Sequence, residues 1–494
     1  MNHKILLVFC LSVIVPGGLF SQNDLQPCGT QDGIVPWLKS FQRNEIAYAR
    51  SGDLLLAPVS IHIVGTNSGT GYFPVKSVLD AFCTLNQDFL ESDIQFFIAG
   101  ELHYINNSDY YDHTFAQGSQ MMDENNVSNT INCYIVDSPA GNCGYSSYSQ
   151  GIALAKNCLD PQDHTWSHEV GHTLSLPHPF VGWEGYEHDY SLPAPLNTNG
   201  NPVEKTDGSN CTSAGDGFCD TAPDYLNFRW PCNDDSLSTL VQIDPDGVEF
   251  RSDGTLFMSY AFDRCSDRFS EEQMEAMRAN LLTERYYLLD QQDPQLPMDT
   301  AFLNALSPAE GDTVHLYTEV AFEWEPVPNA TGYFLEIATF PDFPFTLFSY
   351  FVEGNSTVVY DLFRNKNYYW RISPLNNQQT CLDKVSGVSG FRTGKDEEVT
   401  ASVETIEEIG SVAILPNPAH RGKKINVSFM AIEAIPLDAS LISLTGQTVG
   451  RFNWQANVGQ NQFSIEAANL DAGIYFLQMR SDKGRVSKKV VIGF

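Results

Sequence analysis

The chain has 494 residues, 42% of them hydrophobic, and a formal net charge of −33. That length allows two to four domains, each with its own core. So acidic a balance argues against nucleic acid and anionic membranes as partners, since both need a basic face.

In chain order, Lys4 precedes the apolar run "ILLVFCLSVIVPGGLF" and the small residue Ser21. This pattern predicts a cleaved signal peptide over 1–21. Beyond it, no stretch is long and apolar enough to span a bilayer, so an exported chain without a transmembrane anchor is expected. Residues 22–52 are short and polar, and read as a propeptide-like segment. From 53 the texture changes. Val59, Ile61 and Ile63 alternate with Ser60 and His62 as on a half-buried strand. Val75, Val78, Leu79, Phe82 and Leu85 follow at helical spacing. "DIQFFIAG" and "TINCYIVDS" are two further strands, and "HTWSHEVGHTLSLPH" carries a helix. The layout is α/β over 53–290. It includes a long loop-like stretch from Glu184 to Leu256 and closes with a helix whose capping box is Ser270 and Gln273.

Short strands with Trp324, Tyr333, Tyr369 and Trp370 as core aromatics mark a β-sandwich over 302–394. It resembles a fibronectin type III-like module and is expected to be a spacer or a weak binder. Residues 395–410 form an acidic linker. The last segment, 411–494, has Pro416-Asn417-Pro418, a Gly473-x-Tyr475 strand and a terminal "KKVVI". It resembles the C-terminal sorting domain of the bacterial type IX secretion system of Bacteroidetes-type bacteria. That resemblance implies the secretion machinery as a partner, and a secreted or surface-attached product.

The chemistry lies in His168-Glu169-x-x-His172, followed by His178. Helix residues four apart project from one face, so His168 and His172 can bind one zinc ion. Glu169 lands beside the metal without binding it, placed to take a proton from water. If the helix ends near Ser175, the chain can turn and bring in His178 as third ligand, leaving one position open.

Together with Met258 in "LFMSY", with "GDGFCDTAP" and with "RFSEEQ", this pattern resembles the pappalysin or cytophagalysin family of metzincin zinc proteases. The resemblance runs from about Cys28 to 290. The expected architecture is multidomain: an α/β, metzincin-like zinc protease domain followed by two all-β, sandwich-like domains. The resemblance implies zinc on His168, His172 and His178, Glu169 as general base, Met258 as the Met-turn floor and Tyr260 as an oxyanion stabiliser. Asp216, Asp220 and Thr221 match a family loop associated with calcium. The implied activity is endopeptidase cleavage of extracellular proteins or peptides, with substrate extended along an edge strand near "GNCGYSSY". One departure is Ser175, where the clan has glycine to leave the helix with positive φ. That departure is the one support for a rival reading, a surface adhesin on a weakened protease scaffold.

Eleven cysteines are present, and Cys10 falls in the leader. Disulfides are expected in an exported chain. Cys83, Cys133, Cys143, Cys158, Cys211, Cys219, Cys232 and Cys265 surround the histidine motif and are expected to pair among themselves, leaving Cys28 and Cys381 over. "PCGT" at Cys28 resembles the cysteine switch of zymogens in this family, in which a thiolate fills the open zinc position. A disulfide from Cys28 to Cys381 or to a cysteine near the motif is the alternative.

Overall fold

The computed structural model describes residues 25–291, 297–396 and 406–493, apart from 31–32, 47, 49–51, 300–302, 361, 383, 407, 411, 416, 418, 421–423, 444–447, 467–469, 471–472 and 482. The signal peptide, Arg50, most of the acidic linker, Pro416 and Pro418 fall outside the described residues. The protein is multidomain and mostly β, with 18% of it helical.

The first unit is built on a mixed sheet. Its strands are β1 (Gln26–Cys28), β2 (Leu55–Gly65), β3 (Ile94–Ile98), β4 (His103–Asn106), β5 (Ile131–Val136), β6 (Asn142–Ser147) and β7 (Gly151–Ala155). The order across the sheet is β1-β6-β7-β5-β2-β3, with β4 continuing the β3 edge beside β2. β2, β3, β4, β5 and β7 run parallel. β6 alone runs antiparallel to its neighbour β7. β1 then adds to the outer edge of β6, parallel to it.

The longer helices are α1 (Pro36–Gln42), α2 (Val75–Asp88), α3 (Phe115–Asn125), α4 (Thr165–Thr173) and α5 (Glu271–Thr283). β2 is buried along nearly its whole length because both its faces are covered. One core joins Val59, Ile61 and Ile63 of β2 to Phe82 and Leu85 of α2, Trp166 and Val170 of α4, and Met277 and Leu281 of α5. The α5 capping box has both its hydrogen bonds, from Ser270 and from Gln273. β4, β7 and α3 are additions to the sequence reading.

The 184–256 stretch is mostly irregular, with two short ribbons. It closes over an aromatic cluster of Phe180, Trp183, Tyr225, Trp230 and Tyr260.

The second unit pairs a three-stranded with a five-stranded sheet. Trp324, Tyr333 and Trp370 fill its core, as the pattern predicts, but Tyr369 does not. Side chains alternate along a strand, so Tyr368, Trp370 and Ile372 point in and Tyr369 points out. The third unit, from Ala413, is another three-plus-five-stranded sandwich around Ile425, Val427, Leu437 and Leu477.

The disulfides correct the expected pairing. Cys143–Cys158, Cys211–Cys219 and Cys232–Cys265 lie within the first unit, but Cys83 reaches Cys381 of the second. Cys133 is free and buried, its sulfur accepting the Trp166 indole N–H at 3.3 Å. Phe334 and Leu375 of the second unit join the first unit's core. The second unit is therefore cross-linked and packed to the first rather than loosely tethered.

Candidate functional site: a buried histidine cluster on the edge of the sheet

Helix α4 lies against β6, and all nine of its residues are buried. Two glycines allow this. A Cβ on Gly144 of β6 would stand 2.9 Å from the Glu169 side chain, and one on Gly171 would collide with the Met258 sulfur. Met258, fully buried, thus supports the helix from below.

The helix ends in a Schellman closure, with Leu176 N–H donating to Gly171 O at 2.9 Å and Ser175 N–H to His172 O at 2.9 Å. Ser175 takes φ = 79°, the left-handed conformation that glycine adopts freely. The turn folds the chain back and delivers His178.

His168 Nδ1 lies 2.7 Å from Phe257 O, and His172 Nδ1 lies 2.8 Å from Leu176 O. A carbonyl only accepts, so each Nδ1 carries the proton and each Nε2 presents a lone pair. His172 Nε2 is 3.1 Å from both His168 Nε2 and His178 Nε2. Facing lone pairs repel, so these contacts call for a cation between them. Nitrogens about 2.0–2.1 Å from a tetrahedral zinc stand roughly 3.3 Å apart, and a thiolate sulfur stands roughly 3.6 Å from each. Cys28 Sγ lies 3.6 Å from His172 Nε2. Ligand atoms of Cys28, His168, His172 and His178 all fall within 4.8 Å of one another. The donor set fits zinc.

Burial pushes the His168 imidazole down to about 4 and holds His172 and His178 well below their usual range. All three are neutral near pH 7, as metal ligands must be. Burial pushes Glu169 up to about 8. Burial, then the neighbouring Glu169 carboxylate, push the Cys28 thiol well up. A cation at the site reverses that tendency, because it stabilises thiolate.

Tyr260 stacks edge-on against His178 and donates to Cys28 O at 3.3 Å. The N-terminal segment lies along β6, with Gln26 opposite Asn142 and Cys28 opposite Gly144. A cavity of about 1200 Å³ opens beside His172, between Thr30, Ile34 and Arg43 on one side and Ser146, Gln150 and Leu176 on the other.

The acidic loop is arranged differently from the sequence reading. Asp216 is fully buried, with Oδ1 accepting from Phe218 N–H and the Thr221 hydroxyl, both at 3.0 Å. Its Oδ2 has no partner among the described residues. Asp220 instead caps α5, accepting from Ser270 Oγ at 2.7 Å and Glu272 N–H at 2.8 Å. The residue that sequence reasoning missed is Glu204, buried beside Asp216. Burial, then the Asp216 charge, push it up to about 9. Burial pushes Asp216 up to about 7. Two buried carboxylates and a threonine hydroxyl are oxygen donors that suit calcium.

Residues 413–493 match the family model of a secretion system C-terminal sorting domain. The match implies type IX secretion machinery as a partner, and export to the medium or the cell surface in Bacteroidetes. No helix among the described residues is long and apolar enough to cross a membrane.

No curated protein matches the chain. Solved structures it is similar to include the fibronectin(III)-like modules of Clostridium thermocellum CbhA, at 10% identity over 39% of this chain and 94% of that one, with a TM-score of 0.15. Others are the chicken CNTN1 FN1-FN3 domains (11%, 39% and 65%, TM-score 0.15) and the BSP domain of a biofilm associated protein (13%, 39% and 29%, TM-score 0.14). Likeness at this level carries nothing about activity.

Proposed function

We propose that the chain is an exported zinc-dependent endopeptidase of the metzincin type, similar to the pappalysins and cytophagalysins, held latent by its N-terminal segment. The observation that carries this reading is the convergence of three Nε2 atoms and the Cys28 sulfur, with Glu169 one residue after the first histidine. His168, His172 and His178 would hold the ion, and Cys28 would fill its fourth position until the segment is removed.

Zinc supplies a Lewis acid and an acidified water at that site. Glu169 accepts the proton of the attacking water at a carboxylate oxygen and returns it to the leaving amine. The edge of β6, once cleared of β1, offers its backbone groups to an extended peptide. Tyr260, whose hydroxyl meets the Cys28 carbonyl, is placed to donate to the oxygen of a scissile carbonyl. Glu204, Asp216 and Thr221 would hold calcium and brace the loop beneath α1.

The test is incubation of the processed protein with a denatured protein mixture, with and without a zinc chelator, followed by sequencing of the cut sites. Cutting that stops with chelator and returns with zinc is expected. Absence of any cutting by zinc-loaded protein would overturn the reading.

A further inference from the structure

The N-terminal segment touches more than the metal ligands. Thr30 Oγ1 donates to Glu169 Oε2 at 2.9 Å and accepts the Ser146 N–H at 2.8 Å. One hydroxyl therefore occupies one of the two carboxylate oxygens of the base and, at the same time, an edge-strand donor of β6. Between Cys28 and Thr30 the chain passes through a slot that only glycine fits. A Cβ on Gly29 would stand 2.6 Å from Asn142 Nδ2 and 2.9 Å from Phe115 Cζ. Asn142 is held there by Pro139 O and Ala140 O at 3.1 and 2.9 Å. The Gly29 N–H donates to Gly144 O at 2.8 Å, which fixes the register of the residues on either side.

We propose that Thr30 is a second lock, set on the base rather than on the metal, and that the cleft binds Cys28-Gly29-Thr30 as one three-point ligand. The proposal rests on the peptidase reading for its consequence but not for its geometry. With Cys28 removed, Glu169 Oε2 still accepts from the Thr30 hydroxyl, and Ser146 N–H is still taken. A substrate entering along β6 must displace both contacts. Latency then survives loss of either lock alone.

The test uses the uncut chain in five forms: wild type, Cys28→Ala, Thr30→Val, Thr30→Ser and the Cys28→Ala/Thr30→Val double variant. Valine keeps the shape of threonine and removes the hydroxyl, and serine restores it. The first readout is the alkylation rate of Cys28 by iodoacetamide in chelator, mapped by peptide mass so that Cys133 is counted apart. Thr30→Val should label at least roughly ten-fold faster, the factor that goes with losing two ordinary hydrogen bonds, to Glu169 and from Ser146. Thr30→Ser should label as wild type.

The second readout is hydrolysis of a denatured protein mixture by the zinc-loaded uncut forms. The double variant should be at least ten-fold more active than either single variant. Equal labelling of wild type and Thr30→Val overturns the second lock. So does a Cys28→Ala form as active as the double variant. Faster labelling of Thr30→Val with no hydrolysis by any form, processed protein included, overturns the peptidase reading and leaves the lock standing.

Discussion

The first unit holds two buried polar clusters, and they solve opposite problems. The histidine cluster brings together neutral bases whose lone pairs face one another at 3.1 Å. The Glu204–Asp216 cluster brings together acids whose charges repel. In the first, His168 and His172 are each aimed from behind by a backbone carbonyl, so the donors converge before any ion arrives. In the second, Asp216 is anchored through one oxygen only, and the other has no partner among the described residues. A pre-aimed site tunes chemistry. A half-anchored acidic site gains most of its order from the cation, and so reports on stability. The two should fail differently.

The largest difference is expected from His178→Ala. Removing one of the three histidine donors should leave zinc well below one per chain and lower hydrolysis at least about a hundred-fold, with the fold kept. Metal analysis beside circular dichroism checks this, and an unchanged zinc content would break the comparison at its first half.

The acidic cluster should respond to pH. A carboxyl held high in the folded protein stabilises it fully below the ordinary carboxylate range, and that contribution is lost as pH rises through its folded value. With calcium chelated, Tm should therefore fall from the ordinary carboxylate range up to about pH 9, with the Asp216 share lost by about pH 7 and the Glu204 share by about pH 9. Millimolar calcium, which binds the ionised forms, should reduce the fall, and Glu204→Gln should make it shallower without calcium. Parallel Tm curves for wild type and Glu204→Gln would remove the acids from the account.

The smallest effect is expected at the turn that ends α4. Ser175→Gly relieves a left-handed serine, worth about 1 kcal/mol, and gives part of that back through a more flexible unfolded chain. Urea unfolding should show a gain of up to about 1 kcal/mol, with zinc content unchanged. A loss of stability would mean that the turn is not strained.

What the sequence made legible follows from how local each contact is. His168, His172 and His178 fall within eleven residues, because a helix and its closing turn bring them together. Thr30 and Glu169 meet across 139 positions, and Glu204 reaches Asp216 from an otherwise irregular stretch. No spacing rule marks either pair. Cysteine pairing was misread for the same reason. An even count near the motif favoured local pairing, but α2 faces the second unit, so Cys83 meets Cys381 while Cys133 lies in the core against Trp166. The β6 edge was readable as a strand. That β1 covers it depends on a segment too short to show a period of its own.

The most direct test of the central claim, that the histidine cluster holds zinc beside a working base, compares processed wild type with Glu169→Gln. Glutamine keeps the size of the side chain and removes the proton acceptor. The expected result is one zinc per chain in both proteins, with cleavage at least about a hundred-fold slower in the variant. Cleavage by Glu169→Gln at the wild-type rate, or zinc-free wild type that still cuts, would contradict the account.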